Sequence, residues 1–259
     1  MKFKEIIDEQ AVIAEEIELL PLCHTTTEGF FLNIYDSKTI KAEKQCPVYN
    51  EFLVYFFYGK PSYLVEKELE NYTDDPPITL IYNVNDLKNH KIKRIVPFDS
   101  GGFSRYKIKR GYDLGNFTHD SPEIISLKGI IKLLYQNNEC YLKDQVDIKE
   151  PEILAKKCWP IKEMEKLYKR VKLGEIKSGK QVYSIELQYA GEIEFSPKYL
   201  ILPYTFFTSS FWSEEDFKKQ FPDIIIDYYG QKEIAEANGN LEAFRYQQLM
   251  RDKVFDIIK

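Results

Sequence analysis

The clearest alternation of polar and apolar positions along the chain runs from Gln181 to Tyr189. Such an alternation predicts a half-buried β-strand, because successive side chains of a strand point to opposite faces. One predicted face carries Val182, Ser184, Glu186 and Gln188, and the other carries Tyr183, Ile185, Leu187 and Tyr189. The second face is a core face. The first face is either open to water or presents a catalytic carboxylate from a rigid strand.

Other apolar runs predict further elements. Runs rich in β-branched and aromatic residues predict strands over residues 22–27, 52–58, 78–83, 92–98 and 198–203. Apolar positions at helical spacing predict helices over residues 3–20, 28–34, 122–136 and 151–172, and two more after residue 213 around an extended segment at 224–229. Because these elements do not alternate regularly, we predict an α+β fold. We expect a single domain over residues 1–259, with a core at about 20–205 and a helical C-terminal extension at 213–259.

Composition narrows the class of protein. Aromatic residues make up 15% of the 259 residues, which favours broad sheets and stacking surfaces over a helical bundle. The net charge of −5 argues against a general nucleic-acid coat. The four cysteines show no C-x-x-C spacing, so neither a zinc site nor a disulfide framework is indicated. The chain lacks an apolar signal segment and an uncharged run long enough for a bilayer, so we expect a cytoplasmic protein without membrane contact.

Three stretches carry candidate chemistry. The first is Leu22-Cys23-His24-Thr25-Thr26, a short strand that places a histidine before hydroxyl groups. The second is Tyr55-Phe56-Phe57-Tyr58-Gly59-Lys60-Pro61-Ser62-Tyr63, an aromatic strand that runs into a turn. The third is the strand with Glu186. Each stretch taken alone is also explained by ordinary core and turn structure.

In this order, the three stretches resemble the ADP-ribosyltransferase superfamily, in the branch with a His, a Tyr and a Glu on separate strands. The aromatic stretch is most similar to that of DNA-modifying toxin-like members. The resemblance implies an ADP-ribosyltransferase-like split β-sheet core with surrounding helices, and NAD as substrate without a metal. It implies Glu186, His24 and Tyr58 as catalytic residues. The cofactor-binding residues that we predict are His24, Thr25, Tyr55, Tyr58, Lys60, Tyr63, Asp99 and Ser184.

The chemistry of the reaction explains why these residue types would meet. Cleavage of the nicotinamide–ribose bond passes through an oxocarbenium-like transition state, which a nearby carboxylate stabilises. A stacked aromatic ring holds the leaving group, and a histidine beside a hydroxyl fixes the ribose through hydrogen bonds. Lys60 or Arg94 is a candidate for the pyrophosphate.

Several assignments remain open in the sequence. The stacking tyrosine is Tyr55, Tyr58 or Tyr63, and the rivals of Glu186 are Glu192 and Glu194 on the next hairpin arm. The segment Asp99-Ser100-Gly101-Gly102-Phe103 is either a tight turn that needs its glycines or a loop whose Asp99 orients a neighbouring group. Cys23 and His24 cannot form a catalytic pair, because neighbours on a strand face opposite ways. We interpret His90 and His119 as solvated surface residues.

The function is open in the same way. The leading hypothesis is NAD-dependent ADP-ribosyl transfer to a protein or nucleic acid, or NAD hydrolysis when water is the acceptor. The alternative is an inactive module of the same fold that binds a nucleotide or a protein, including one in a defence or toxin system with an inhibitory partner. A single-strand nucleic-acid binder is a third class, for which the basic and aromatic segment Ser104 to Tyr112 is the candidate surface.

Overall fold

A computed structural model describes residues 1–42, 44–62, 75–106, 108, 111–176, 179–209, 213–237 and 241–259. Within these ranges the chain mixes α-helices with β-strands that pair both antiparallel and parallel, which agrees with the predicted α+β class. Tyr63 and three basic residues of the segment from Ser104 to Tyr112 (Lys107, Lys109 and Arg110) lie outside the described residues.

The helices and strands have the following bounds. The helices are α1 (Phe3–Val12), α2 (Glu28–Ser37), α3 (Ser126–Leu134), α4 (Asn138–Leu142), α5 (Pro151–Lys157), α6 (Trp159–Lys172), α7 (Phe206–Ser209), α8 (Glu214–Gln220), α9 (Gln231–Glu236) and α10 (Ala243–Ile258). The strands are β1 (Leu22–Thr27), β2 (Thr39–Ile40), β3 (Gln45–Cys46), β4 (Glu51–Tyr58), β5 (Pro77–Tyr82), β6 (Ile92–Val96), β7 (His119–Asp120), β8 (Glu186–Ala190), β9 (Ile193–Glu194), β10 (Tyr199–Pro203) and β11 (Ile225–Tyr229). Short 3₁₀ helices span Val84–Leu87, Ser100–Tyr106, Leu114–Phe117 and Gly179–Tyr183.

Only the second half of the segment from Gln181 to Tyr189 forms the predicted strand. Residues Gly179–Tyr183 form a 3₁₀ helix, and β8 begins at Glu186. The Gln181 carbonyl accepts a hydrogen bond from the Ser184 amide within this turn, at 3.0 Å. The alternation of side chains therefore extends beyond the strand, because a tight turn can carry the same pattern of polar and apolar residues as a strand.

The leading helix is also shorter than predicted. It ends at Val12 instead of Leu20, and the chain continues through turns in which Ala14 and Ile17 are still buried. Helix α1 packs against α3, where a Cβ atom on Gly129 would overlap the backbone of Ile7. The glycine thus permits the two helices to approach at backbone distance.

The chain divides into two compact units, each assembled from three segments. The first unit consists of Met1–Leu20, Glu43–Tyr58 and Lys88–Ala190. Its strands follow the order β4, β8, β6, β7, with antiparallel pairing throughout, and β3 pairs with β4. Strand β8 is central, so its side chains are flanked on both sides by neighbouring strands.

The second unit consists of Pro21–Ala42, Gly59–Leu87 and Gly191–Lys259. Strands β1, β5 and β10 pair antiparallel in that order, and β11 joins β10 in parallel. Helix α10 packs on this sheet, and its Tyr246, Met250 and Val254 form one buried cluster with residues of the strands. The residues predicted as a helical extension therefore supply a strand and a core helix to this unit.

Candidate functional site

Glu186 lies at the start of the central strand of the first unit. It pairs with Phe57 on β4 and with Val96 on β6. Only 1% of its surface is exposed, and Gln188 on the same face is fully buried. The interpretation of this face as open to water is therefore wrong at both positions. Its burial instead requires that the carboxyl group find partners within the protein.

Three donors meet the Glu186 carboxyl group. The Ser100 amide donates to Oε2 at 3.0 Å, and the Ser100 hydroxyl donates to Oε1 at 2.7 Å. The Gln188 side-chain amide also donates to Oε1, at 2.6 Å. Ser100 opens the 3₁₀ helix Ser100–Tyr106, so a segment far along the chain is held against β8 by this carboxyl group.

Burial dominates the acidity of Glu186. Removal from water raises its pKa to about 7, and the charge of Asp99 acts in the same direction, while the hydrogen bonds from Gln188 and Ser100 act against it. Burial likewise raises the pKa of Asp99 to about 6. Two neighbouring carboxyl groups therefore change charge near neutral pH. Groups of this kind are typical of acid–base sites, although structural networks also produce them.

Asp99 has one engaged oxygen and one free oxygen. Its Oδ1 accepts a hydrogen bond from the Gly101 amide at 2.9 Å. Its Oδ2 is buried and has no hydrogen-bond partner among the described residues. An ionised carboxylate oxygen in this state is ready to accept a hydrogen bond from a ligand hydroxyl.

The two glycines after Ser100 do not serve an unusual backbone conformation. Neither Gly101 nor Gly102 has a positive φ. A left-handed backbone conformation is therefore not the reason why glycine occurs at these two positions. A Cβ atom on Gly102 would instead overlap the ring of Tyr106. The Tyr106 hydroxyl donates to the Asp99 carbonyl at 3.0 Å, so Gly102 makes room for the ring that closes this segment.

The candidate tyrosines Tyr55 and Tyr58 lie on opposite faces of β4. Tyr55 pairs with Gln188 across β4 and β8, so its side chain shares the face of Glu186. Tyr58 is three residues further along β4 and lies on the opposite face. Its hydroxyl accepts from the Leu20 amide at 3.0 Å, and its ring packs against Tyr141. The prediction that Tyr58 shares a site with Glu186 is therefore wrong, because odd and even positions of a strand face opposite ways.

Arg94 does not have the free guanidinium group that a pyrophosphate ligand needs. It donates from Nη2 to Glu51 Oε1 at 2.6 Å and from Nη1 to Gln188 Oε1 at 3.2 Å. Its Nε lies 3.3 Å from Asp120 Oδ1, and its guanidinium lies over the Tyr49 ring at 4.4 Å. Glu51 and Tyr49 were not predicted from the sequence. Glu51 and Tyr55 are both at odd positions of β4, so they lie on the same face of the strand. This spacing could have identified Glu51 from the sequence.

The serine whose hydroxyl contacts the Glu186 carboxyl group is Ser100, and not Ser184. Ser184 precedes β8, is buried, and uses its amide within the 3₁₀ turn before the strand. The hydroxyl that contacts Glu186 belongs to Ser100. The rival carboxylates Glu192 and Glu194 are both exposed. Glu186 is thus the carboxylate of the three that combines burial with several donors.

The remaining predicted NAD contacts belong to the second unit. His24 is half-buried on β1 opposite Leu80. The hydroxyl of its neighbour Thr25 lies 3.3 Å from that of Thr79, which in turn contacts Met250 Sδ, so it points to the face covered by α10. Because neighbours on a strand face opposite ways, Thr25 can share a ligand with the His24 imidazole only through its backbone. The convergence of His24 and Glu186 stays a prediction.

Lys60 follows β4 and also belongs to the second unit. It is fully buried, although we predicted that its ammonium group would meet a pyrophosphate. A buried ammonium group is engaged by groups of the protein, so a contact with NAD would require this lysine to exchange one partner for another.

His119 is buried and not a solvated surface residue, so that interpretation was wrong. Its Nε2 lies 2.8 Å from Asp8 Oδ1, and the Ser126 hydroxyl donates to the same oxygen at 3.2 Å. In a serine–histidine–aspartate triad the two imidazole nitrogens divide the contacts, one toward the serine and the other toward the aspartate. Here one nitrogen and the serine converge on one carboxylate oxygen. This cluster therefore joins α1 to α3 and is no nucleophile site.

The described residues show neither a cluster of metal ligands nor a membrane-spanning helix. These residues contain no group of three or more His, Cys, Asp or Glu side chains arranged to hold a metal ion. No helix among them is long and apolar enough to cross a membrane. Comparison of the chain with protein-family models, with curated proteins and with solved structures found no significant match.

Proposed function

We propose that this chain is an NAD-dependent ADP-ribosyltransferase, or an NAD glycohydrolase when water is the acceptor, with an ADP-ribosyltransferase-like split sheet. The observation that carries the proposal is the buried Glu186, whose carboxyl group has three donors, a pKa near 7 and Asp99 beside it. This is the arrangement that cleavage of a glycosidic bond requires, because one group must stabilise positive charge and a second must handle a proton. The cytoplasmic location is part of the same proposal.

The proposed reaction breaks the bond between ribose C1′ and the nicotinamide nitrogen. Its electron pair leaves with nicotinamide, which becomes neutral, and positive charge develops on the ribose. The ionised Glu186 carboxylate stabilises this charge in a site from which water is excluded. The acceptor oxygen then bonds to C1′ and releases a proton, for which Asp99 Oδ2 is the available base. Protein, nucleic acid and water remain the candidate acceptors.

The ligand contacts in this proposal follow from strand faces. Tyr55, on the face of Glu186, is the candidate for stacking on nicotinamide, and it replaces Tyr58. His24 is the candidate for the ribose hydroxyls, as the family resemblance implies. For NAD to reach Glu186, the segment Ser100–Tyr106 has to move, because Ser100 engages both oxygens of the carboxyl group.

The second candidate is a module of the same fold that binds a nucleotide or a partner protein without turnover. The burial of Glu186 to 1% exposure favours it, because a carboxyl group closed off by Ser100 is also a stable structural arrangement. An inhibitory partner protein fits either candidate. The two differ in whether nicotinamide is released.

The test measures nicotinamide release from NAD by the purified wild type, Glu186→Gln and Glu194→Gln. Glu194 is an exposed carboxylate of the second unit and is the matched control. We expect Glu186→Gln to lower the rate by a factor of about 10² or more, as loss of a stabilising group in the transition state does, and Glu194→Gln to leave it unchanged. Equal rates for the wild type and Glu186→Gln would overturn the proposal. A thermal shift with NAD but no release would select the second candidate.

A further inference from the structure

A continuous line of contacts leads from the surface to the buried carboxyl group. Glu51 holds Arg94, Arg94 Nη1 donates to Gln188 Oε1, and Gln188 Nε2 donates to Glu186 Oε1. Arg94 and Gln188 are direct cross-strand partners on β6 and β8. We propose that Arg94 is a positioning residue that fixes the orientation of the Gln188 amide and thereby keeps the ionised form of Glu186 stabilised.

The hydrogen-bonding capacities of the two side chains determine how the Gln188 amide is oriented. A side-chain amide has an accepting oxygen at one position and a donating nitrogen at the other, so it can present either to Glu186. A guanidinium group can only donate. Because Arg94 donates to the amide of Gln188, the oxygen must face Arg94 and the nitrogen must face Glu186. The arginine thus selects the orientation that donates to the carboxylate.

Arg94 itself is held from three directions. Both Nη atoms contact the Glu51 carboxylate, at 2.6 and 3.4 Å, Nε faces Asp120 at 3.3 Å, and the plane of the group lies over Tyr49. Only 13% of its side chain is exposed. Planar bidentate contacts of this kind fix a guanidinium more firmly than a single contact does. The orientation of Gln188 is therefore set by a group that does not itself rotate freely.

The reverse orientation would have the opposite effect on acidity. With its oxygen toward Glu186, the Gln188 amide would accept a hydrogen bond from a protonated carboxyl group and would favour the neutral form. Loss of Arg94 releases the amide to adopt that orientation whenever Glu186 is protonated. The inference therefore predicts that substitution of Arg94 raises the pKa of Glu186.

Other charged and titratable groups also surround Glu186 or act on its neighbour Asp99. Those that interact with Glu186 are Asp99 before the 3₁₀ segment, Tyr106 within that segment, Tyr49 before β4 and Tyr55 on β4. Arg105 acts on Asp99. Substitution of Arg94 also removes one positive charge, which by itself raises the pKa of a carboxyl group. The experiment must separate this charge effect from the orientation of the amide.

A double-mutant cycle makes the separation. The protein is labelled with ¹³C at glutamate carboxyl groups, the Glu186 signal is identified by its absence in Glu186→Gln, and its titration is followed by NMR. We expect Arg94→Met to raise the midpoint by about one pH unit, which is a tenfold change in the protonation equilibrium. In the Gln188→Leu background the same substitution should shift it by less than half as much, because only the charge is then lost. Equal shifts in both backgrounds would overturn the inference.

Lys93→Met is the matched control. Lys93 is the neighbouring residue on β6 and also contacts Glu51, so this variant removes a charge without touching Gln188. Its shift should be well below that of Arg94→Met, and an equal shift would count against the inference. Arg94→Gln keeps a polar side chain and is used if Arg94→Met does not fold, with a raised midpoint again expected.

The catalytic meaning of Arg94 rests on the proposed function, whereas its effect on acidity does not. If the wild type releases nicotinamide, Arg94→Met should displace the pH profile of release upward by the same interval as the NMR midpoint. If no variant releases nicotinamide but the titration cycle behaves as expected, the proposed function fails and the positioning role stands. If release occurs and the cycle shows no coupling between Arg94 and Gln188, the positioning role fails alone.

Discussion

The two units bury their sheets with different chemistry. In the second unit, the face beneath α10 is built from Cys23, Ile81 and Ile201, with Met250 and Val254 from the helix. In the first unit, the face of β8 between β4 and β6 buries the carboxyl group of Glu186 and the amide of Gln188. The Arg94 side chain beside them is only 13% exposed. Burial of apolar surface contributes roughly 25 cal/mol per Å² to stability, whereas burial of a carboxyl group costs free energy unless it is hydrogen-bonded.

This difference between the two faces distinguishes residues that stabilise the fold from residues of the candidate site. The apolar face of the second unit is explained by stability alone. The polar face of the first unit is not, because buried ionic networks are often no more stable than apolar residues of the same volume. The proposed chemistry would be one reason for Glu186 and its partners to be buried there. Each of the following measurements tests whether the two faces differ in this way.

The largest expected effect is on the apolar face. Ile201→Ala should lower the free energy of unfolding by about 4 kcal/mol, because the side chain is fully buried and leaves a cavity. Since no titratable side chain is removed, urea unfolding at pH 5 and at pH 8 should give the same loss. A loss that differs strongly between the two pH values would show that this face is coupled to ionisable groups.

The second effect is the pH dependence that the polar face adds. Burial raises the pKa of Glu186 to about 7 and that of Asp99 to about 6, so the folded state keeps protons that the unfolded chain has already released. Their contribution to stability is complete below about pH 4 and is lost as the pH rises toward 7. For Glu186 the loss is on the order of 3 kcal/mol. Stability of the wild type relative to Glu186→Gln should therefore fall across this interval.

The measurement is the difference in unfolding free energy between the wild type and Glu186→Gln, taken by urea unfolding at several pH values. Glu194→Gln is the control, because its carboxyl group is exposed. A flat difference would mean that Glu186 ionises in the folded protein as it does in the unfolded chain, and a difference that rises with pH would mean that folding lowers its pKa.

The smallest effect concerns the opposite face of β4. Tyr58→Phe removes the hydroxyl that accepts from the Leu20 amide, and should cost about 1 kcal/mol of stability. It should leave nicotinamide release unchanged, because the ring does not share the face of Glu186. Tyr55→Ala, which removes the candidate stacking ring on the Glu186 face, should lower release instead. Loss of release in Tyr58→Phe without loss of folding would contradict the assignment of faces.

The sequence was sufficient for those features that depend on local pattern. The apolar runs of β4, β5 and β10 were predicted from the residues themselves. Glu186 was singled out because it lies in an alternating segment. These features follow from the geometry of one element, in which spacing along the chain determines direction.

The features that the sequence did not reveal depend on contacts between distant segments. Ser100 is 86 residues from Glu186, and nothing in its own segment shows that its hydroxyl meets that carboxyl group. The buried His119 imidazole contacts Asp8, which is 111 residues away. Tyr58 was misplaced for a different reason, since its strand was predicted correctly but its face relative to Glu186 depends on the register between β4 and β8.

The close contact of α1 with α3 has a consequence for the order of folding during synthesis. Gly129 lets the first helix approach the third at backbone distance, although α3 begins only at Ser126. The ribosome must therefore synthesise every residue between Val12 and Ser126 before α1 finds this packing surface. Until then the side of this helix that packs on α3 lacks its native partner, which is the situation in which a nascent chain is most prone to aggregate or to need a chaperone.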